Sequence, residues 1–266
     1  MLVACSLAAS SLITPLLNRL AFFAGQPIRT DVYAELLSVF AASAIMVQSI
    51  DRRSWADLDL SRASFRARPM LGGWLVGAIA IAVVCGTLLV SGLLLLQPSR
   101  TESSWLGAAV RVTMVLLPAA LAEEMMCRGY LLSVIRECVG VRSAVVLTSV
   151  LFGLLHLGNP DATAQSVAVV ILSGLLLATV RLAFSSLYAA WMTHFAWNWV
   201  MAVPLHAPVS GIRFEAPAYE AVTREPAWLS GGGWGPEGGL VAALGMLGAL
   251  GYFYARRRRG DSVQDG

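Results

Sequence analysis

Residues 105–129 read WLGAAVRVTMVLLPAALAEEMMCRG: a long apolar run broken by the single charge of Arg111, then Glu123, Glu124 and, one helical turn on, Arg128. A run of that length approaches the about 20 residues that a helix needs to cross a hydrocarbon core. It ends in two carboxyls, and ionisable groups at membrane depth are costly enough that they usually face a protein-lined cavity or a partner. The same pattern of apolar runs recurs along the chain at 2–23, 32–50, 70–96, 141–157, 164–182, 185–205 and 238–255. With 105–122 these make about eight candidate spans, so the expected fold class is all-α, a polytopic transmembrane helix bundle forming a single membrane domain over 1–266.

Composition agrees. Of 266 residues, 57% are hydrophobic and 13% charged, and the mean hydropathy is +0.70, values outside the range of soluble domains of this size. The net charge of +3 comes from 19 basic residues, all Arg. They group: Arg52, Arg53, Arg62, Arg66 and Arg68 follow the second span, Arg256–Arg259 follow the last, and Arg128, Arg136, Arg142 and Arg181 fall on the same side. Arg29, Arg100, Arg213 and Arg224 are left on the other. The positive-inside rule then places both termini in the cytoplasm, with Glu123 and Glu124 near the cytoplasmic end of the fourth span. Such placement favours a lipid bilayer as partner and gives no support to nucleic acid.

Between the spans, 51–69 mixes Trp55, Leu58, Leu60 and Phe65 with Arg and Asp, which suits either an amphipathic helix on the inner surface or a solvated connector. The outer segment, about 206–237, carries four prolines and Gly231-Gly232-Gly233 and is expected to be irregular and mobile. The first span, interrupted by Pro15, Asn18 and Arg19, lacks a basic start and a small-residue cleavage site and is expected to stay in the mature protein. Cys5, Cys85, Cys127 and Cys138 form neither a disulfide framework nor a C-x-x-C site. Cys5 in a lipoprotein-like box is best read as chance, and Cys127 as a small space-filling thiol. The Gly-rich stretch, last span and Arg256–Arg259 resemble a three-part sorting tail, although an ordinary last helix with a basic stop accounts for them more simply.

Chemistry gathers on three helices. Glu124 and Arg128, four residues apart, share a helix face and can neutralise each other, while Glu123 is rotated about 100° away and left without that partner. A carboxyl in a poorly solvated pocket is more basic than in water, which suits it to take a proton from water. Phe152 and His156 are likewise one turn apart, an aromatic wall beside an imidazole. His194 and Asn198 present two polar heads on one face, able to donate to an oxyanion. Each pair has an ordinary structural reading. An acid at a helix end can reach the headgroups, a lone membrane His can pack, and an Asn can join helices at under about 1 kcal/mol. Three such pairs on three spans are hard to assign to packing.

The series Glu-Glu-x-x-x-Arg, Phe-x-x-x-His and His-x-x-x-Asn, over roughly 105–203, resembles the CPBP (Abi) family of intramembrane endopeptidases, the CAAX-protease and bacteriocin-processing proteins. Cys127 departs from the aromatic residue common at that place. The resemblance implies a glutamic-type peptidase. Glu123 and His156 would activate water, His194 and Asn198 would bind the oxyanion, and Glu124 with Arg128, beside Phe152, would support them. It also implies cleavage of a membrane-associated peptide or protein near the cytoplasmic face, and the absence of Lys with abundant Ala, Gly and Arg points to a bacterial cell membrane. No cofactor is expected; the alternative is a zinc site of Glu123, His156 and His194, although no His-Glu-x-x-His helix exists and a ligating Glu123 would leave the base unassigned. A proton-coupled transporter or a non-catalytic immunity-type partner are the competing functions; the first predicts repeat-related halves, which the sequence lacks.

Overall fold

The computed structural model describes residues 1–23, 30–99 and 103–264; Arg29 and Arg100 lie outside them. Helices α1 (Leu2–Phe23), α2 (Thr30–Ala44, continued by a π-helical turn Ile45–Ile50), α3 (Ala67–Val90), α4 (Trp105–Glu124), α5 (Leu132–Leu155), α6 (Ala164–Phe184), α7 (Leu187–Ala202), the short α8 (Ala227–Ser230) and α9 (Leu240–Gln264) make up most of the chain. Strands β1 (Leu94–Pro98) and β2 (Tyr219–Thr223) pair antiparallel, Leu94 opposite Thr223. The protein is thus a mostly helical membrane protein with a small sheet, where an all-α chain was expected.

Five helical stretches among the described residues are long and apolar enough to cross a membrane: Leu2–Arg19, Thr30–Ile50, Ala67–Val90, Trp105–Gly158 and Ala164–Phe184, with Leu240–Arg256 shorter. The fourth joins two expected spans, 105–122 and 141–157. Helix α4 runs on through a π-helical segment, Met125–Leu131, into α5, and the chain turns back only at Gly140, whose φ of 80° suits a residue without Cβ. The expected span 70–96 ends early, at Val90, because Gly92 (φ 71°) breaks the helix and the leucines beyond it are claimed by β2.

Helix α3 shows how the bundle divides lipid from protein. Leu71, Leu75, Ile79 and Val83, four residues apart, are all exposed, whereas Ile81, Val84 and Leu88 are buried; an apolar stripe facing outward is what a bilayer solvates. On its other face Gly73 and Gly77 let α7 approach until a Cβ on either would lie 2.1 Å from the carbonyl oxygens of Ala189 and Thr193. Such close packing of small residues is a main source of helix association in membranes, and here Thr193 Oγ1 adds a bond to the Gly73 carbonyl at 2.9 Å. Gly77→Val should therefore force α7, and His194 on it, away from its neighbours and cost about 1–3 kcal/mol. Gly86→Ala in the same helix, where an added Cβ meets nothing within 4 Å, should leave the melting temperature in detergent unchanged or slightly raised. In α4, Pro118 has no N–H to give the Met114 carbonyl four residues back, and Tyr33 Oη supplies the bond instead at 2.9 Å, tying α2 to α4.

The connector 51–66 holds one 3₁₀ turn, Trp55–Leu58, rather than an amphipathic helix. It is nevertheless packed: Trp55 stacks on Phe40 at 5.2 Å, Leu58 is buried, Asp59 meets Arg181 at 3.4 Å and Arg53 grips Glu137 with both terminal nitrogens. The segment 206–237, expected to be irregular and mobile, is irregular only in part: it carries β2 and α8, folds back into the bundle and buries Trp234 to 1% exposure. Its prolines and glycines set turns, and its Trp and Glu side chains anchor them.

Candidate active site

Glu123 and Glu124 occupy the last turn of α4, where the π-helical segment begins. A π turn adds one residue to the helical register, and such insertions are frequent at functional sites. Glu124 is fully buried and its Oε1 accepts from two donors, Arg128 Nη1 at 3.1 Å and His194 Nδ1 at 3.0 Å. The Arg128 pairing is the one the spacing predicts; the bond to His194 crosses from α4 to α7 and has no signature in the sequence. Arg128, also 0% exposed, lays its guanidinium 4.0 Å above the Phe152 ring. That ring lies edge-on to both imidazoles, with centroids 4.8 Å from His156 and 5.8 Å from His194. Phe152, expected as a wall beside one His, is a spacer shared by all three cationic or ionisable groups.

His156 closes α5. Its Nδ1 lies 2.8 Å from the Phe152 carbonyl, and because a carbonyl only accepts, this bond assigns the proton to Nδ1 and leaves the Nε2 lone pair free. Nε2 stands 3.8 Å from Glu123 Oε2, beyond direct hydrogen-bond reach. Asn198 stands one turn beyond His194 on α7 and lines the same space. A cavity of about 360 Å³ is lined by Glu123, His156, His194 and Asn198 together, with Val115, Leu116 and Ala119 of α4 on its apolar side. A second, smaller space of about 30 Å³ adjoins it at His194 and Asn198. All seven sequence-derived residues thus meet at one place, supplied by α4, the π-helical segment after it, α5 and α7. Cys127 is buried beside Phe152, Val170 and Trp234. Among the described residues no three His, Cys, Asp or Glu side chains are grouped as metal ligands.

Several lining residues escaped the sequence reading. Glu35, on α2, borders the main cavity; an acid inside the apolar run 32–50 was the signal, by the same reasoning that singled out Glu123. Ser210 borders both spaces and Glu237 the smaller one, and nothing in a Gly/Pro-rich segment marks which polar residue will turn inward. Glu237 is buried and accepts from Trp197 Nε1 at 2.7 Å, Ser210 N–H at 2.7 Å and Ser210 Oγ at 2.8 Å. In the segment after α7, Glu215 accepts from Arg111 Nε of α4 at 2.9 Å, and this bond holds the Glu215 carboxyl below its ordinary range.

Compared with known proteins, residues 103–200 match a family described as type II CAAX prenyl endopeptidase Rce1-like. The match spans Glu123 through Asn198 and agrees with the CPBP resemblance. No curated protein and no solved structure matches the chain.

Proposed function

Taking as premise the likeness of residues 103–200 to Rce1-like endopeptidases, we propose that this chain is an intramembrane glutamic-type endopeptidase that hydrolyses a membrane-associated peptide or protein. The observation that supports it most is the convergence of Glu123, His156, His194 and Asn198, from three helices, on one cavity. The 3.8 Å between Glu123 Oε2 and His156 Nε2 is too long for a direct bond and suits a water held between two acceptors. Glu123 takes one proton from that water as its oxygen bonds to the scissile carbonyl carbon. The oxyanion is received by the Asn198 amide N–H and by Nε2–H of a His194 that is doubly protonated against the Glu124 carboxylate. Collapse breaks the C–N bond, the proton on Glu123 passes to the leaving nitrogen, and an acid and an amine result. Glu124 and Arg128 orient this machinery without touching the substrate.

The same reading has eight membrane-crossing segments, both termini on the arginine-rich cytoplasmic face, and residence in a bacterial cell membrane. The test is hydrolysis in proteoliposomes of a precursor recovered from Glu123→Gln membranes. His156→Ala should lose at least about a hundredfold in rate, and equal rates for His156→Ala and wild type would favour a non-catalytic membrane partner. No metal takes part in the proposed steps, so dialysis of the purified protein against a tight chelator should leave the rate unchanged. Loss of activity restored by Zn²⁺ would transfer the chain to the metallopeptidases.

A further inference from the structure

The main cavity extends to the turns at one end of the bundle. Its rim comes from the first turn of α2 (Asp31, Val32), from Asn159 after α5, and from Ile212 and Phe214 of the segment that follows α7. All of these lie at the arginine-poor end, opposite the connector with Arg52–Arg68 and the turn near Arg136 and Arg142. Toward the arginine-rich end the chain beyond Glu123 is packed: Glu124, Cys127 and Arg128 are 0% exposed and Tyr130 is 6% exposed, Leu58 of the connector packs in the same cluster as Tyr130, and Met126 alone of this stretch still borders the cavity.

The rim is a built structure. Val209 and Ile212 exchange backbone bonds at 2.9 and 2.8 Å around Ser210 and Gly211, both with positive φ (49° and 80°), the geometry of a tight two-residue hairpin turn. A Cβ on Gly211 would lie 1.9 Å from the Pro160 carbonyl oxygen, so the turn is seated directly on the loop after His156. Three further ties hold it: Glu237 takes both Ser210 donors, Asn159 Nδ2 donates to the Ser210 carbonyl at 3.1 Å, and Gly211 N–H donates to the Trp234 carbonyl at 2.9 Å.

We propose that the substrate reaches Glu123 from the arginine-poor, extracytoplasmic face, passing between the 209–214 hairpin and the first turns of α2, so that the substrate class is a membrane-anchored chain whose scissile segment is presented outside the cytoplasm. The proposal rests on the peptidase reading for treating the cavity as the substrate's, and it reverses the face that the family resemblance implies. Labelling with a membrane-impermeant maleimide tests it without a known substrate. Cys138, exposed near the arginine-rich end, is a native reporter of that face. In a Cys5→Ser/Cys138→Ser background, which keeps only the buried Cys85 and Cys127, Ile212→Cys or Asp31→Cys reports the rim. Right-side-out vesicles should label the rim cysteines at least tenfold faster than inverted ones, and wild-type Cys138 should show the opposite order. Rim and Cys138 labelling from the same side, rim labelling from the cytoplasmic side, or rim cysteines that react only after denaturation in SDS would each overturn it. Two rim positions guard against one variant failing to fold, with elution as a single species in detergent as the check. Failure of the peptidase reading would appear separately, as an unchanged set of membrane proteins in Glu123→Gln cells.

Discussion

Replacing Glu123 with Gln should reduce hydrolysis of a reconstituted precursor by roughly a hundred- to ten-thousand-fold, the usual contribution of a general base, while leaving the fold intact. The amide keeps the shape of the acid but cannot hold the proton taken from water. Stability should change little, because the Glu123 side chain is 27% exposed and His156 Nε2 lies 3.8 Å away, beyond hydrogen-bond reach. The fall should lie in kcat at unchanged KM, since the lost interaction is made only as water attacks. A comparable loss of thermal stability would indicate that Glu123 is structural.

Replacing Arg128 with Ala should produce the largest loss of stability, about 3–5 kcal/mol, because it strands the buried Glu124 carboxylate without its guanidinium. The substitution also removes the 3.1 Å bond to Glu124, the guanidinium stacked 4.0 Å from Phe152, and the packing that a fully buried side chain supplies. Removing both charges together, as Glu124→Gln/Arg128→Met, should be milder than Arg128→Ala alone, since neither the carboxylate nor the guanidinium is left buried without the other. Activity should still be low in the double variant, because His194 Nδ1 would lose the carboxylate that orients it at 3.0 Å. Unfolding in detergent by circular dichroism measures the first comparison, and precursor cleavage the second.

The site was largely legible in the sequence because its pairs are local. Residues four apart on a helix share a face, so Glu124–Arg128, Phe152–His156 and His194–Asn198 could be paired from spacing alone. What spacing cannot give is contact between helices, and the bond from His194 to Glu124 is of that kind. The apolar runs marked the helices well, because length and lipid exposure decide them together. They failed at residues 94–98, where Leu-Leu-Leu looks helical and only pairing with Tyr219–Thr223, more than a hundred residues away, makes a strand. The Gly-x-x-x-Gly of Gly73 and Gly77 was present to be read as a close-packing face. The Gly/Pro-rich composition of 206–237 pointed to its turns but missed β2 and α8 within it, and it said nothing of the buried Trp234 and Glu237.

Comparative membrane proteomics of wild-type and Glu123→Gln cells decides whether a carboxylate-activated water splits peptide bonds here. One or more membrane-associated precursors should accumulate at full length in the variant, and their shortened forms should be found only where Glu123 is intact. Identical protein termini in the two strains, with the variant protein present at wild-type level in the membrane, would refute the mechanism.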